Sequence, residues 1–294
     1  MTKNALDEVR ILVLGAQVLL GFQYRAFFEP AFDRLPAHDR LLECVGLFLL
    51  LFVVGAVMLP AARHRIVERG EDSVEFFHFV LDTAALALFP FAAALTLDVF
   101  LAAERFGPGT AIALAISTAA IALGLWYGPW VLRRPEPRHE PGGHMKLEDK
   151  IVQVLTETRV VLPGAQALFG FQLAITMMEP YERLPVSSRA VHVASLCAVA
   201  LAIIFLMAPP AYHRIVDHGE DTEDFHRFAT WMILVAMAVL PLGFAGDVFV
   251  VFRKQTGSPE AGAVAALATL AFFYGLWFAA TAWIRSRRRR TARQ

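Results

Sequence analysis

Gly15-Ala16-Gln17 followed by Gly21-Phe22-Gln23 returns as Gly164-Ala165-Gln166 followed by Gly170-Phe171-Gln172, displaced by 149 residues. Working outward from this pair, three more segments return at the same displacement. Arg34-Leu35-Pro36 matches Arg183-Leu184-Pro185, His64-Arg65-Ile66-Val67 matches His213-Arg214-Ile215-Val216, and Asp98-Val99-Phe100 matches Asp247-Val248-Phe249. One offset shared by unrelated segments indicates a duplicated unit.

Each copy is mostly apolar. The 294 residues are 57% hydrophobic with a mean hydropathy of +0.52, above the roughly 45–50% apolar content of soluble domains. The apolar residues fall in blocks of about 20, the length that spans a hydrocarbon core of about 30 Å. Backbone groups in lipid must pair within the segment, so such blocks can only be helices. Each half is predicted to hold four, at 9–28, 40–59, 74–103 and 110–132, then 158–178, 188–208, 224–252 and 260–284. Glu29-Pro30 and Glu179-Pro180 are expected to stop the first helix of each half, and Pro60 and Pro209-Pro210 the second. The fold class is therefore all-α, a polytopic membrane protein of eight transmembrane helices in two tandem four-helix units. These units occupy 1–132 and 151–294, with a Pro-, Gly- and charge-rich linker at 133–150. The stretch 146–159 reads as an interfacial helix that bends near Pro163-Gly164 into the fifth span.

Of the 27 Lys and Arg residues, 19 lie on the side that holds both termini and the linker, and 8 on the other. Both termini are therefore expected in the cytoplasm. Four spans is an even number, so both units enter from the same side and form a parallel repeat. The polar start and the Gln17, Gln23 and Arg25 within the first apolar block make a poor signal-peptide core, so that block is expected to be retained. Cys44 and Cys197 read as small apolar residues inside helices rather than a disulfide.

Gln17 and Gln166 lie about 10 Å into the membrane, and Gln23 and Gln172 about 20 Å, by helix rise. A carboxamide is costly against lipid, so all four are expected to face protein or water. They form either a polar lining or interhelical bonds at close contacts beside Gly15, Gly21, Gly164 and Gly170. Asp82 lies about 12 Å into the third span and joins that candidate lining. Its counterpart is Trp231. Asp98 and Asp247 are read as interfacial acids pairing with Arg105 or Lys254. A second group gathers where the second span turns into the third: His64, Arg65, Glu75 and His78 in the first half, and His213, Arg214, Asp224 and His226 in the second, with His78 aligning with Arg227 and Phe77 with His226. It reads as an ion-paired corner, with Arg65 and Arg214 bridging to acids whose charge suits the next helix N-terminus. His213, His218 and His226 match no compact ligand spacing, so no metal is expected there. A haem held by His64 and His213 is the weakest alternative.

No phosphate loop, dinucleotide fingerprint or hydrolase motif occurs, so no enzymatic activity and no cofactor are expected. Zero net charge excludes a field that would favour nucleic acid. The expected partners are the bilayer and anionic headgroups beside the Arg-rich tail, Arg285, Arg287–Arg290 and Arg293. The run from Glu157 to Phe171, with Ala208-Pro209-Pro210-Ala211-Tyr212-His213-Arg214, resembles a family of small bacterial four-span membrane proteins of unknown function. That resemblance covers most of the second half, with the first half a diverged copy, and implies a bacterial inner-membrane home. It carries over no catalytic residue. Two function classes follow: passage or binding of a small solute or ion along the interface between repeats, and a structural or regulatory protein acting through its cytoplasmic loops.

Overall fold

The computed structural model describes residues 2–68, 73–132, 147–215 and 222–291, and among these every regular element is helical. The first half holds α1 (Thr2–Ala26), α2 (Ala37–Arg63), α3 (Val74–Ala103) and α4 (Pro108–Leu132). The second holds α5 (Leu147–Thr176), the short α6 (Glu179–Glu182), α7 (Val186–Ile215), α8 (Glu223–Thr256), α9 (Pro259–Tyr274) and α10 (Ala280–Thr291). A π turn, His64–Glu68, extends α2, and another, Gly275–Ala279, joins α9 to α10. Six helical segments are long and apolar enough to cross a membrane, and 161–176 adds a shorter apolar helix.

The helix boundaries have local causes that recur at the repeat offset. Ser73 caps α3 by accepting from the Phe76 N–H at 3.0 Å, and Thr222 caps α8 by accepting from the Phe225 N–H at 3.1 Å. Gly257 closes α8 with a left-handed φ of 71°, its N–H bonding the Arg253 carbonyl at 2.9 Å. The Glu-Pro pairs do end the first helix of each half. Pro60, Pro209 and Pro210 do not end the second; they lie inside α2 and α7. A proline removes one donor, and packed neighbours in a membrane bundle tolerate that loss. Likewise α5 is one helix running through Pro163, apolar over 161–176. Cys44 is half-buried, Cys197 is exposed, and both are free.

Within each half the chain packs each long helix against the next, and the first also touches the third. The halves meet through α1 and α5, with α2 against the π turn after α9. On α1 and α5 the contacts advance together. Gln17 meets Gly164, and five residues further on Phe22 meets Phe171, with ring centroids 4.3 Å apart. The two helices therefore run in the same direction, and equivalent phenylalanines face each other across the junction. The halves are also tied by Trp277, fully buried, whose indole Nε1 donates to the Gly55 carbonyl at 2.8 Å. Trp277→Phe removes that bond with most of the volume kept, and is expected to lower stability by about 1 kcal/mol, measured as a lower melting temperature in mild detergent.

Candidate functional site

In the second half a glutamine from the first long helix meets an aspartate from the third, and in the first half their counterparts, Gln23 and Asp98, line one cavity. In the second half Gln172 Nε2 lies 2.9 Å and 2.8 Å from the two Asp247 oxygens and 2.9 Å from Ser195 Oγ. The Ser195 hydroxyl stands 2.7 Å from Asp247 Oδ1 and 2.7 Å from the Gly243 carbonyl. His192 Nε2 is 3.0 Å from the Gln172 carbonyl, which makes Nε2 the donor and leaves Nδ1 to accept from the Tyr24 hydroxyl at 3.0 Å. Tyr24 also reaches Asp247. Tyr24, Gln172, His192, Ser195 and Asp247 are all buried. The network is sealed, and Tyr24, its lid, comes from the first half. Asp247 is thus an interior acceptor, not the interfacial partner of Lys254. Lys254 instead pairs with Asp33.

The same positions in the first half differ in three places, and the differences open the site. Glu43 replaces His192, Gly46 replaces Ser195, and the counterpart of the Tyr24 lid is Leu173, which is exposed. Gln23 Nε2 bonds the Glu43 carbonyl at 3.1 Å and also the Glu43 carboxylate. Asp98 lies within electrostatic reach of Glu43. A Cβ on Gly46 would stand 3.1 Å from Gln23 Nε2, so the glycine gives the carboxamide its room. In place of a lid there is a cavity of about 410 Å³. Gln23 and the carboxylates of Glu29, Asp39, Glu43, Asp98 and Glu104 line it, and among the described residues no Lys or Arg does. Glu29 is paired with Arg25 at 2.6 Å. The facing hollow of the second half, about 270 Å³, has the opposite character, with Arg183, Arg253 and Lys254 in its wall. The acidic hollow is a small, partly apolar recess with convergent oxygens, which suits a cation.

The glutamines predicted to share one lining go to different places. Gln23 lines the cavity and Gln172 lies in the sealed network. Gln17 is buried, with Nε2 3.8 Å from the Met58 sulfur and its side chain filling the notch over Gly164. Gln166 is exposed on α5. The notch over Gly15, the repeat equivalent of Gly164, is not filled by Gln166; the nearest atom to a Cβ there is Phe91 Cζ at 3.9 Å. Asp82 is exposed on α3 and borders no described cavity.

An ion-paired corner forms in the first half. Arg63 bridges Glu68 at 3.3 Å and Glu75 at 3.0 Å. Arg288 of the tail joins both acids, at 2.8 Å and 2.7 Å. Arg65 is buried and reaches Thr230 of the second half at 3.5 Å. His64 is buried with its ring stacked on Phe76, and His78 lies half-buried beside Phe77. Asp224 pairs with Arg227 at the surface, and His226 is half-buried. The side chains of His213 and Arg214 and all of His218 lie outside the described residues. The residues that sequence reasoning misses are Tyr24, Glu43, His192 and Ser195. One signal was available: Glu43 and His192 are polar residues at the same register inside an apolar second helix.

No curated protein and no solved structure matches the chain. A family of unknown function (DUF6328) matches twice, over residues 1–130 and again over 143–281, consistent with a tandem duplication. The two matches together cover most of the chain, which therefore belongs to that family, in two copies.

Proposed function

We propose that the chain is a non-enzymatic inner-membrane protein of eight spans, with both termini cytoplasmic, whose first unit binds a small cationic solute in the acidic cavity. The parallel course of α1 and α5, side by side at the junction of the halves, supports counting both as spans beside the six longer apolar segments. The excess of Lys and Arg on the terminal side supports the orientation, which puts the cavity on the periplasmic side. The exposed arginines of the tail then lie at the cytoplasmic headgroups, where anionic lipid would hold them.

The observation that carries the reading is the cavity wall, with five carboxylates and no described cation. A low-dielectric wall of one sign concentrates the opposite charge. The cavity lies within the first half. Along the interface between halves the packing is close, with Gln17 on Gly164 and Phe171 on Gly21. Binding inside one unit is therefore better supported than passage between the two. Glu43→Gln and Asp98→Asn are each expected to weaken methylammonium binding in detergent about tenfold, the value of one lost charge contact of roughly 1.4 kcal/mol. Equal binding by wild type and both variants would remove the reading.

The second reading, a structural or regulatory protein with no ligand, is favoured by the Arg63–Glu68–Glu75–Arg288 clamp, which fixes the tail to the corner. It requires a cytoplasmic partner whose capture is lost when Arg288 is replaced by alanine while the melting temperature is kept.

A further inference from the structure

At the rim of the acidic cavity, where the first turn of α2 meets the turn after α3, three side chains of mixed chemistry converge. One donor atom from each of His38, Asp39 and Glu104 lies within 4.8 Å of the other two. His38 and Asp39 precede and open the apolar run of α2. Glu104 follows the apolar run of α3, so antiparallel packing of the two helices brings the ends together. Asp39 is only 3% exposed, unusual for a carboxylate at a helix start. Its Oδ1 is buried and accepts no hydrogen bond of normal geometry, although His38 Nε2 stands 2.7 Å away. Glu104 faces the same carboxylate. An imidazole and two carboxylates, one of them buried, converge here, an arrangement that a shared positive centre would satisfy.

The geometry points to a divalent transition-metal site formed by His38, Asp39 and Glu104 on the wall of the acidic cavity, with its open coordination position facing that cavity. One imidazole with two carboxylates is a donor set for Zn²⁺ or Mn²⁺, whereas Ca²⁺ and Mg²⁺ favour oxygen alone. Ligand atoms about 2.1 Å from a common tetrahedral ion stand about 3.4 Å apart, so small side-chain rotations bring the present set to that spacing. His38 is largely exposed and free to make them. Three protein ligands leave at least one position open, as in metal sites that receive an exogenous molecule. The site rests on the cation-binding reading of the cavity and names a cation class for its rim, distinct from the deeper Glu43 and Asp98.

The test uses the full-length protein in detergent with Mn²⁺ as the probe, followed by electron paramagnetic resonance. One saturable Mn²⁺ per chain is expected, with a nitrogen coupling from the imidazole. His38→Ala abolishes that coupling, and His38→Ala and Glu104→Gln each weaken binding about tenfold or more. Both residues are surface-accessible enough for the variants to fold. Glu43→Gln and Asp98→Asn leave the nitrogen coupling in place. Absence of saturable Mn²⁺ binding overturns the site. So does binding that ignores His38→Ala and Glu104→Gln but disappears with Glu43→Gln, although that result keeps the cavity as a cation site. Mn²⁺ bound with the imidazole signature, in a protein that fails to bind methylammonium, keeps the metal site and removes the deeper one.

Discussion

Gly164→Ala is expected to destabilise the junction of the two halves more than any other single methyl group added at a described glycine. A Cβ there would lie 1.7 Å from Gln17 Oε1, 2.5 Å from its Cδ and 2.6 Å from its Cβ. The last of these is too close to the α1 backbone to be relieved by turning a flexible end, so α1 and α5 must separate. Overpacking of this kind costs about 1–3 kcal/mol, and larger residues cost more. The expected result is a clear fall in melting temperature in mild detergent. Gln17→Ala made together with Gly164→Ala clears most of the space. The double variant is therefore expected to recover a large part of the loss, a coupling that only direct contact produces. Additive losses would show that the two residues do not meet. The comparison with Gly170 is built in: nothing lies within 4 Å of a Cβ added there, so Gly170→Ala is expected to be neutral or slightly stabilising through helix propensity.

The second large effect is expected at Asp247. Asp247→Ala removes the acceptor on which Gln172 and Ser195 converge, and leaves their donors buried. Hydrogen bonds between membrane helices average about 0.6 kcal/mol and reach about 1.7, so a network of three or four is worth about 2–3 kcal/mol. Asp247→Asn keeps one oxygen acceptor and nearly the same volume, and is expected to lose about half as much. Tyr24→Phe removes the lid hydroxyl, which meets His192 and Asp247, and is expected to cost about 1 kcal/mol. The order Ala, then Asn, then Tyr24→Phe, read from melting temperatures, tests the network. Equal stability of Asp247→Ala and wild type would show that Asp247 is not an interior acceptor. Asp98→Asn in the open site of the first half is expected to be milder, because water can reach the groups it leaves.

Much of the helix layout was legible without coordinates. The expected spans 40–59, 74–103, 110–132 and 224–252 fall inside or on α2, α3, α4 and α8. The reason is local: apolar length and capping residues such as Ser73 and Thr222 act within one turn of where they stand. The prolines misled because a lone missing donor ends a helix in water but not in a packed bundle. The candidate site was legible only in pieces. Gln23 with Gln172 and Asp98 with Asp247 each stood out as retained pairs. Nothing in the spacing says that the glutamine of a first helix meets the aspartate of a third, 75 residues later. The part of Arg63 in the corner was hidden for a similar reason. Arg63 and Arg65 are neighbours in sequence, but the π turn aims one at Glu68 and the other across at Thr230.

The duplication, the all-helical class and the apolar length of the helices were determined by the sequence alone, because they rest on periodicity and length. Tertiary structure alone decided that the copies pack differently around equivalent residues. Equivalent residues sit on equivalent helices, yet Gln17 is buried against Gly164 and Gln166 is exposed. Tyr24 crosses the junction between the halves to seal the polar cluster of the second half, and among the described residues its counterpart Leu173 is exposed and seals nothing in the first. Burial depends on which neighbour arrives, and a repeat in sequence says nothing about that. The open acidic cavity and the His38–Asp39–Glu104 rim follow from this one unreciprocated contact and from the Gly46 and Glu43 substitutions beside it.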